Sequence, residues 1–431
     1  MIIWSHIGEF GRNLSTILTA LSFARLTRNT GLRVSPSCLG KSLPVFRRSD
    51  PEQTAGQYFR RYLKNNKESD ILKTIAVLGT GNIAQTISVD MKARGHEVRL
   101  FAPQYLFSRI RFIAETHEIE CTGAFEAKET IDVVTSDIDE AVRGADYIFI
   151  CVPGNRHEEY AKLLKGHTTA DQIVITFNGC MASLIYKNVW GDDDTCPVFV
   201  ESTIPPFSTR RVEPGKVRMF ERHLAPIAFF PASAADKYYD RIIADIYEFP
   251  GKFEDVLECG LSLVNPTVHP GPCLVNLSNI EKPDFTFFLY EHGFQPSGLK
   301  IDVLLNKERL RIGEAFGYKI HALEDFAGVD TIDSWEPMYA MGHGCHALTS
   351  IAGPNDINYR YLTEDIPIAL VCWASIADQL GIETPIMDAV ITLIGVAHDT
   401  DWFVNGRTAE KLGLSGKTIE EISRYAKTGK F

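Results

Sequence analysis

Residues 74–84 read Thr-Ile-Ala-Val-Leu-Gly-Thr-Gly-Asn-Ile-Ala, an apolar run that ends in a glycine-rich loop. The run Thr74–Leu78 is short and aliphatic, which is typical of a strand buried on both faces. Residues 84–94 then carry a helical pattern that stops at Gly95, and residues 98–101 form a second apolar run. This order predicts strand, helix and strand within about 30 residues.

The glycine-rich loop matches the pattern G-x-G-x-x-A, with Gly79, Gly81 and Ala84 at its fixed positions. A bound pyrophosphate has to approach the backbone closely, and the helix has to pack on the strand, so small residues are favoured at all three positions. The helix N-terminus offers free N–H groups and a partial positive charge to phosphate. We expect a nucleotide here, in contact with the loop residues Gly79, Gly81, Asn82, Ile83 and Ala84. The alternative is a purely structural glycine turn.

Strands and helices continue to alternate beyond the loop. Further strand-like runs cover residues 147–152, 172–177, 198–201 and 225–230. Such alternation predicts a Rossmann-type, doubly wound parallel sheet. Because ligands bind outside the carboxyl ends of parallel strands, we expect Val152 and Pro153 to lie beside the nicotinamide. An ordinary strand exit is the alternative.

Beyond residue 260 the strand-like runs thin out, and residues 298–316, 361–380 and 385–397 carry helical patterns. We therefore predict an α/β protein in which the Rossmann-type parallel sheet is followed by an all-α C-terminal domain. The predicted divisions are an N-terminal extension over residues 1–70, a nucleotide-binding domain over 71–258 and a helical catalytic domain over 259–431.

The composition disfavours two classes of partner, nucleic acids and membranes. The net charge of −11 disfavours a nucleic-acid partner. No apolar run reaches the ~18 residues that a membrane helix needs. The nine cysteines contain no C-x-x-C pair, which favours reduced thiols and an intracellular location.

The first fifty residues differ from the rest of the chain. They contain seven basic residues and two acidic ones, with frequent serine and threonine. That composition is typical of an organelle transit peptide, and the alternative is an extension with no targeting role. Both a cytoplasmic and a mitochondrial location are therefore compatible with the sequence.

The stretch Asn265–Pro272 contains three prolines and one histidine, His269. Proline fixes φ and cannot continue a helix, so the stretch predicts a rigid loop. His269 is the group in it that titrates near neutral pH. We expect His269 to be a catalytic acid/base, and the alternative is an ordinary core histidine.

A second candidate block covers residues 358–367. Asp365 would orient a histidine and stabilise its protonated form, while Arg360 would hold a substrate carboxylate with its planar fork. The alternative is that Thr363 caps a helix, with Glu364 and Asp365 in its first turn. Histidine and cysteine also cluster at residues 343–346, but too few ligands lie nearby to predict a metal site.

The choice between NAD and NADP stays open in the sequence. An NAD-specific site usually carries an acidic residue at the end of the second strand, where it binds the ribose 2′-OH. Residues 98–103 end without one. Arg109 and Arg111 follow and could reach a 2′-phosphate, although surface arginines on a helix are the simpler interpretation.

From about residue 73 to its C-terminus the chain resembles the octopine/nopaline (opine) dehydrogenase family. Five elements carry the resemblance, in this order: the loop at 79–84, Val152-Pro153, Thr203-Ile204-Pro205 with Arg210, Asn265-Pro266 with His269-Pro270, and the block Arg360–Pro367. The last two are the most specific. The N-terminal extension has no counterpart in the family pattern.

The resemblance implies a Rossmann domain followed by a helical domain, and a small-molecule reaction. Such enzymes reductively condense a 2-oxo acid, often pyruvate, with the amino group of an amino acid, using NADH or NADPH. Carried over by motif, His269 corresponds to the acid/base, Asp365 to its carboxylate partner and Arg360 to a ligand of the substrate carboxylate. Thr203 lies in the segment that approaches the oxo acid. Asp365 is expected to raise the pKa of His269 and fix its tautomer. For the assembly, both a monomer and a homodimer are expected.

Two other functions are compatible with the fold. One is a reductase of 2-oxo or keto acids alone, like the ketopantoate reductases or glycerol-3-phosphate dehydrogenases, which usually rely on a catalytic lysine. Here the corresponding block carries His269 instead. The other is a non-catalytic nucleotide-binding protein, which would be expected to lose His269 or Asp365.

Overall fold

The structure is a computed structural model that describes residues 72–431, all of which belong to one compact unit. The expectations for residues 1–70, including the transit peptide, lie outside the described residues. The sheet and the helices belong to the same compact unit, so the division at residues 258 and 259 stays a prediction.

The strands of the described residues form two sheets. They are β1 Thr74–Leu78, β2 Glu97–Phe101, β3 Glu118–Gly123, β4 Ala127–Thr130, β5 Val133–Thr135, β6 Tyr147–Ile150, β7 Ile173–Phe177, β8 Val198–Ser202, β9 Phe207–Glu213, β10 Lys216–Arg222 and β11 Ile227–Phe230.

The larger sheet has the order β11-β8-β7-β6-β1-β2-β5. Its strands from β8 to β5 are parallel, with Leu78 in register with Phe101 on one side and Ile150 on the other. The carboxyl ends of β1, β6, β7 and β8 therefore share one edge, which we call the carboxyl edge of the sheet. The prediction of a Rossmann-type sheet is confirmed.

The strand predicted at residues 225–230 forms as β11, but it runs antiparallel to β8, with Ile227 opposite Ser202. The sequence indicated an extended segment here but not its direction. An apolar run reports only that a strand is buried, and the connection from β8 to β11 passes through the hairpin of β9 and β10 instead of a crossover helix.

The second sheet has the order β4-β3-β10-β9 and was not predicted. Burial alternates along β3 and along the start of β9, which indicates that one face is covered and the other exposed. Such strands carry many polar residues and give a weaker sequence signal than fully buried ones. The Thr86 and Thr209 hydroxyls, 2.8 Å apart and buried, join this sheet to the helix that follows the glycine-rich loop.

The α-helices are numbered in chain order. They are α1 Asn82–Ala93, α2 Arg111–Thr116, α3 Ile138–Val142, α4 His157–Leu164, α5 Ala182–Trp190, α6 Ala235–Asp245, α7 Val256–Leu261, α8 Pro270–Leu274, α9 Leu277–Ile280, α10 Pro296–Ala315, α11 Ala322–Ala327, α12 Glu336–His343, α13 His346–Thr349, α14 Arg360–Thr363, α15 Val371–Leu380, α16 Pro385–Ala397, α17 Trp402–Asn405 and α18 Ile419–Thr428. Short 3₁₀ turns cover Gln104–Ile110, Gly154–Arg156, Ala232–Ala234 and Asn265–Thr267, and π-helices cover Leu289–Gly293 and Asp365–Leu370.

The helical C-terminal part is confirmed, but the helix predicted over residues 361–380 is three pieces. α14 is followed by the π-helix Asp365–Leu370 and then by α15. Pro367 accounts for the break, because it has no N–H to donate and its ring crowds the preceding turn. The break places Asp365 at the start of a new segment.

One hydrophobic core extends from the sheet into the helical part. Leu78 and Ile150 of the sheet belong to the same buried cluster as Leu257 and Trp373 of the helices. The Trp373 indole N–H also donates to the Gly260 carbonyl, 3.2 Å away. The helical part is therefore anchored against the sheet by apolar packing.

Candidate active site

The glycine-rich loop needs its first glycine for a steric reason. Gly79 has φ of +142°, and a Cβ at this position would lie 2.5 Å from the Cys151 carbonyl oxygen. No side chain other than hydrogen fits there, since β1 and β6 leave the sheet side by side. Gly79 thus sets the path of the chain at the carboxyl edge.

The second glycine faces free space. Gly81 begins α1 with ordinary extended backbone, no side chain caps the helix, and a Cβ on Gly81 would have no described atom within 4 Å. The first turn of a helix leaves backbone N–H groups available. This open, uncapped N-terminus fits the pyrophosphate of a dinucleotide.

The other three loop residues have different surroundings. Ala84 is completely buried, so it packs α1 on the sheet, and Ile83 is half-buried against the same core. The Asn82 Oδ1 accepts the Arg211 backbone N–H at 3.0 Å, which ties the loop to β9. Asn82 therefore also has a structural partner in the second sheet.

The end of β2 carries no acidic side chain in the structure either. The chain continues through Ala102 and Pro103 into a 3₁₀ turn. Arg109 is exposed, and Arg111 forms an exposed ion pair with Glu115 at 2.7 Å. The absence of a carboxylate at this strand end leaves room for either a ribose hydroxyl or a 2′-phosphate.

The turn after β6 packs directly on the helical part. The backbone N–H of Gly154 donates to Glu364 Oε1 at 3.0 Å, and a Cβ on Gly154 would lie 2.9 Å from the Ile368 side chain. Val152 and Pro153 are thereby held at the carboxyl edge beside the block that contains Arg360 and Asp365. The two motifs predicted separately meet here.

A buried arginine, Arg407, reinforces this junction. Its Nη2 donates to the Gly154 carbonyl at 3.0 Å, and its Nη1 donates to the carbonyls of Gly179 and, at 2.7 Å, Cys180. Its backbone N–H donates to the Pro367 carbonyl at 2.7 Å. Arg407 therefore joins the turns after β6 and β7 to the π-helix that starts at Asp365. We call this junction the Arg407 seam.

The histidine and the carboxylate predicted as partners are in contact. His269 Nδ1 lies 2.6 Å from Asp365 Oδ2, and each side chain is about 2–3% exposed. A carboxylate accepts and does not donate, so Nδ1 carries the proton. The other ring nitrogen, Nε2, faces the Tyr290 hydroxyl at 3.5 Å, which leaves Nε2 as the atom that can exchange a proton with a substrate.

The ring of His269 is also fixed from the side. It stacks on Tyr361, with ring centroids 3.7 Å apart and an angle of 24° between the planes. His269 precedes α8, whose Gly271 N–H donates to the buried Asp302 Oδ1 at 2.9 Å. The position and the tautomer of the imidazole are thus both determined by neighbours.

The pKa of His269 is lowered below its usual 6.5, in contrast to the expectation from Asp365 alone. Burial makes the largest contribution, because it disfavours the charged ring. Asp365 acts in the opposite direction, and the positive charge of Arg360 lowers the pKa further. Asp365 raises the pKa of His269, as predicted. The net pKa is nevertheless lowered, because burial outweighs the contribution of Asp365.

Arg360 lies at the rim of the same site. Its side chain is half-exposed, its guanidinium carbon is 5.2 Å from the centre of the Tyr361 ring, and Nη1 is 3.9 Å from Glu364 Oε2. Burial raises the pKa of Glu364, and the Arg360 charge opposes that rise. The loosely paired fork of Arg360 is free to form two hydrogen bonds with a carboxylate.

Thr203 is buried directly after β8, at the carboxyl edge of the sheet. Its neighbour Ser202 accepts the Asn178 N–H at 2.8 Å, which joins the exits of β7 and β8. Among the described contacts, none links Thr203 to His269 or Arg360. The structure therefore places Thr203 at the carboxyl edge of the sheet, outside the cluster around His269.

Four residues of the site were not assigned from the sequence: Tyr290, Tyr361, Glu364 and Arg407. Tyr361 and Glu364 lie inside the block that was singled out, so the block itself was the available signal. Tyr290 and Arg407 belong to no motif, and only the folded chain brings them to the site.

Two further properties concern the described part of the chain. None of its helices is both long and apolar enough to cross a bilayer. Within residues 72–431, no three or more histidine, cysteine and acidic side chains are grouped as a metal would require.

Comparison with known families gives a consistent result for both parts of the chain. A family model described as "NAD/NADP octopine/nopaline dehydrogenase, alpha-helical domain" matches residues 252–398. A second, described as "NADP oxidoreductase coenzyme F420-dependent", matches residues 74–178. An opine dehydrogenase from Arthrobacter sp. (strain 1C) is 30% identical over 354 residues, which cover 81% of this chain and 98% of that protein.

Solved structures share the fold at lower identity. An octopine dehydrogenase determined with NADH and pyruvate has a TM-score of 0.64 and 18% identity, covering 82% of this chain and 98% of that one. A yersinopine dehydrogenase determined with NADP+ has a TM-score of 0.63 and 14% identity, covering 83% and 98%. These two therefore resemble the chain in fold.

Proposed function

Because the chain belongs to the octopine/nopaline (opine) dehydrogenase family, we propose that it reductively condenses a 2-oxo acid, with pyruvate as the expected one, with the amino group of an amino acid. It is an NAD(P)H-dependent oxidoreductase that acts on a CH–NH bond. The observation that carries the proposal is the buried pair of His269 and Asp365 beside the half-exposed Arg360.

The nucleotide is assigned to the carboxyl edge of the sheet. The open N-terminus of α1 at Gly81 would hold the pyrophosphate, with Asn82, Ile83 and Ala84 in the first turn. Val152 and Pro153 would lie beside the nicotinamide. When bound, the reduced nicotinamide supplies the hydride. Residues 71–258 then form the nucleotide-binding domain and residues 259–431 the catalytic one.

The residues of the helical part are assigned to the two substrates. Arg360 holds the carboxylate of the 2-oxo acid with its planar fork, and Thr203 approaches the same acid from the sheet. The amine nitrogen forms a bond to the keto carbon, whose oxygen leaves as water. The resulting C=N bond is reduced by the hydride to a secondary amine.

His269 supplies the proton that this sequence needs. Its protonated Nε2 polarises the keto oxygen and donates a proton as the oxygen leaves, while Asp365 retains the Nδ1 proton and stabilises the charged ring. Burial of the pair excludes water that would return the C=N bond to the oxo acid. Holding both substrates in one place contributes much of the rate.

The experiment is an assay of the full chain with NADH and with NADPH. Oxidation of the nucleotide should require both pyruvate and an amino acid, and the product should be the secondary amine that joins them, identified by its mass. Turnover with pyruvate alone would favour the reductase alternative. Nucleotide binding without turnover would favour the non-catalytic one.

The remaining assignments belong to the same proposal. The partners are small molecules and not nucleic acid, and the oligomeric state is a monomer or a homodimer, which sedimentation would determine. An intracellular location, in the cytoplasm or in mitochondria, is supported by the eight cysteines of the described residues, all of which are free thiols. Fractionation of cells that produce the full chain tests it.

A further inference from the structure

The hydroxyl of Tyr290 lies at the reacting nitrogen of His269 and has not been given a part in the reaction so far. It is 3.5 Å from His269 Nε2, and the Tyr290 side chain is buried. Among residues 72–431 the hydroxyl has no other hydrogen-bond partner. A catalytic hydrogen bond that is long in the free enzyme often shortens when a substrate binds. The hydroxyl is therefore available to a substrate that approaches Nε2.

The local fold holds the ring of Tyr290 in this place. Tyr290 belongs to the π-helix Leu289–Gly293, a rare form of helix that is frequent at functional sites. Its ring packs against Phe294, with centroids 4.7 Å apart. Just before the π-helix, the Phe287 carbonyl accepts the Gly353 N–H at 2.7 Å, which ties the segment to a distant part of the chain. The hydroxyl is thus presented to Nε2 from a fixed position.

The positions of the protons make Tyr290 the donor. Nδ1 of His269 carries a proton that it donates to Asp365, so Nε2 of the neutral ring is an acceptor. Burial raises the pKa of Tyr290 above its usual 10, so the phenol keeps its proton at neutral pH. When the ring of His269 becomes protonated, Nε2 changes from acceptor to donor. The Tyr290 O–H then needs another acceptor.

The surroundings of the hydroxyl connect it to the residue assigned to the oxo acid. Burial is the largest influence on the pKa of Tyr290, and the charges of Arg360 and Asp365 also act on it, as do Tyr361 and Cys273. The same two charges act on His269. The Tyr290 hydroxyl, Nε2 and Arg360 therefore belong to one electrostatic cluster. In a 2-oxo acid the keto carbon is bonded directly to the carboxylate, so a carboxylate on Arg360 brings the keto oxygen into this cluster.

We propose that Tyr290 is a further catalytic residue, whose hydroxyl is the second hydrogen-bond donor to the keto oxygen of the 2-oxo acid, beside Nε2 of His269. Because the two donor atoms are 3.5 Å apart, one oxygen can lie about 2.8 Å from both of them. The proposal rests on the proposed function, because it names a residue for that reaction.

The hydroxyl acts while the amine adds to the keto carbon. The C–N bond forms as the π electrons of the C=O bond move to the oxygen, which takes the proton of Nε2. The added nitrogen then returns one of its protons to Nε2, and Tyr290 keeps its own proton throughout. A donor that is already in place stabilises the charge on the oxygen as it develops. Tyr290 therefore acts on the transition state more than on the bound substrate.

Tyr290→Phe tests the proposal, because it removes the hydroxyl and keeps the ring. In the full chain, with nucleotide saturating, kcat with pyruvate and an amino acid should fall by about 10²-fold, the size expected for the loss of one such donor. The KM for pyruvate should rise by no more than about fivefold, since the bond to the uncharged keto oxygen is weaker. The Kd of the nucleotide, measured by fluorescence titration, should stay that of the wild type.

A binding measurement tests the same contact without turnover. Oxamate has an amide oxygen where pyruvate has its keto oxygen, and calorimetry gives its Kd for the complex of protein and nucleotide. This Kd should rise by about fivefold in Tyr290→Phe, the size of one neutral hydrogen bond. Propionate has no oxygen at that position, so its Kd should be the same in both proteins.

Tyr318→Phe is the matched control. Tyr318 is also buried in the helical part, and its hydroxyl donates to Asp255 at 2.7 Å. Among the described contacts, none links Tyr318 to His269 or Arg360. The change should lower the midpoint of thermal unfolding, because a buried hydrogen bond is lost. It should leave kcat and the Kd of oxamate at their wild-type values.

The outcomes separate this proposal from the proposed function. Wild-type kcat in Tyr290→Phe, or an unchanged Kd of oxamate, would overturn the role of the hydroxyl and leave the proposed function standing. An equal fall of kcat in the Tyr318 control would overturn it too, since the effect would not belong to the site. Absence of turnover by the wild type with every oxo acid and amino acid would overturn the proposed function, and the role of Tyr290 with it.

Discussion

His269 and Asp365 lie 2.6 Å apart although 96 residues separate them in the chain. Asp365→Asn should reduce kcat by about 10²–10⁴-fold, because an amide can donate to Nδ1 and favour the wrong tautomer of the ring. Steady-state kinetics with pyruvate and an amino acid provide the measurement. Nucleotide affinity, measured by fluorescence titration, should remain that of the wild type. An unchanged kcat would remove Asp365 from the role assigned to it.

The lowered pKa of His269 predicts opposite pH dependences for the two directions of the reaction. Reduction needs the protonated ring, so its kcat/KM should fall as the pH rises through the lowered pKa. Oxidation of the product needs the neutral ring, so its kcat/KM should rise through the same pH. Initial rates between pH 5 and pH 9, at saturating nucleotide, test both. A reductive rate that increased with pH would contradict the assignment.

Substrate binding should shift the pH at which the rate of the reductive reaction falls. Arg360 contributes to the low pKa of His269 through its positive charge, and a carboxylate bound to Arg360 would offset that charge. The pH at which kcat falls should therefore lie above the pH at which kcat/KM falls. Arg360→Met should abolish the difference as well as raise the KM for pyruvate. If kcat and kcat/KM of the wild type fell at the same pH, this would argue against a carboxylate bound to Arg360.

The two glycines of the loop should respond differently to substitution. Gly79→Ala should destabilise the fold by roughly 1–3 kcal/mol or more, since the residue has φ of +142° and the new Cβ would meet Cys151. Gly81→Val should remain folded, because the space in front of Gly81 is open, but it should lose nucleotide affinity. Thermal unfolding and nucleotide titration of both variants separate the effects. Full affinity in Gly81→Val would exclude the loop as the pyrophosphate site.

Arg407→Met should destabilise the protein by about 3 kcal/mol or more, because several buried carbonyls lose their donor and each costs about 1–3 kcal/mol. Arg407→Lys should recover only part of this loss, since one ammonium cannot reach all of the same acceptors. Urea unfolding monitored by tryptophan fluorescence gives the comparison. If Arg407→Met unfolded at the wild-type urea concentration, the seam would not depend on these bonds.

The features that could be predicted are those that depend on residues adjacent in the sequence. The strand Thr74–Leu78, the loop after it and α1 form where the sequence indicates, because buried parallel strands are apolar throughout and the glycine loop has a local steric cause. The smaller sheet was missed because β3 and β9 are covered on one face only. Their polar residues belong equally well to loops.

The site shows the same division between local and distant information. Arg360 and Asp365 share a block, and His269 has an unusual proline-rich context, so these residues could be chosen from the sequence. Their contact could not be derived from spacing. The net pKa of His269 depends on burial, which is a property of the whole fold. Tyr290 and Arg407 have no local signal, because each acts through residues far away in the chain.

The Arg407 seam holds the sheet and the helical part together on one side of the site. Four hydrogen bonds of the guanidinium and the bond from Gly154 to Glu364 cross between the sheet and the helical part. Separating the two parts at this point would break all five, at a cost of about 1–3 kcal/mol for each buried group left unpaired. We therefore expect the seam to stay closed while substrate and product pass on another side of the site. Substitutions of residues at the seam would for that reason cost stability before they widened substrate access. Residues of the site that lie away from the seam are better positions for such substitutions.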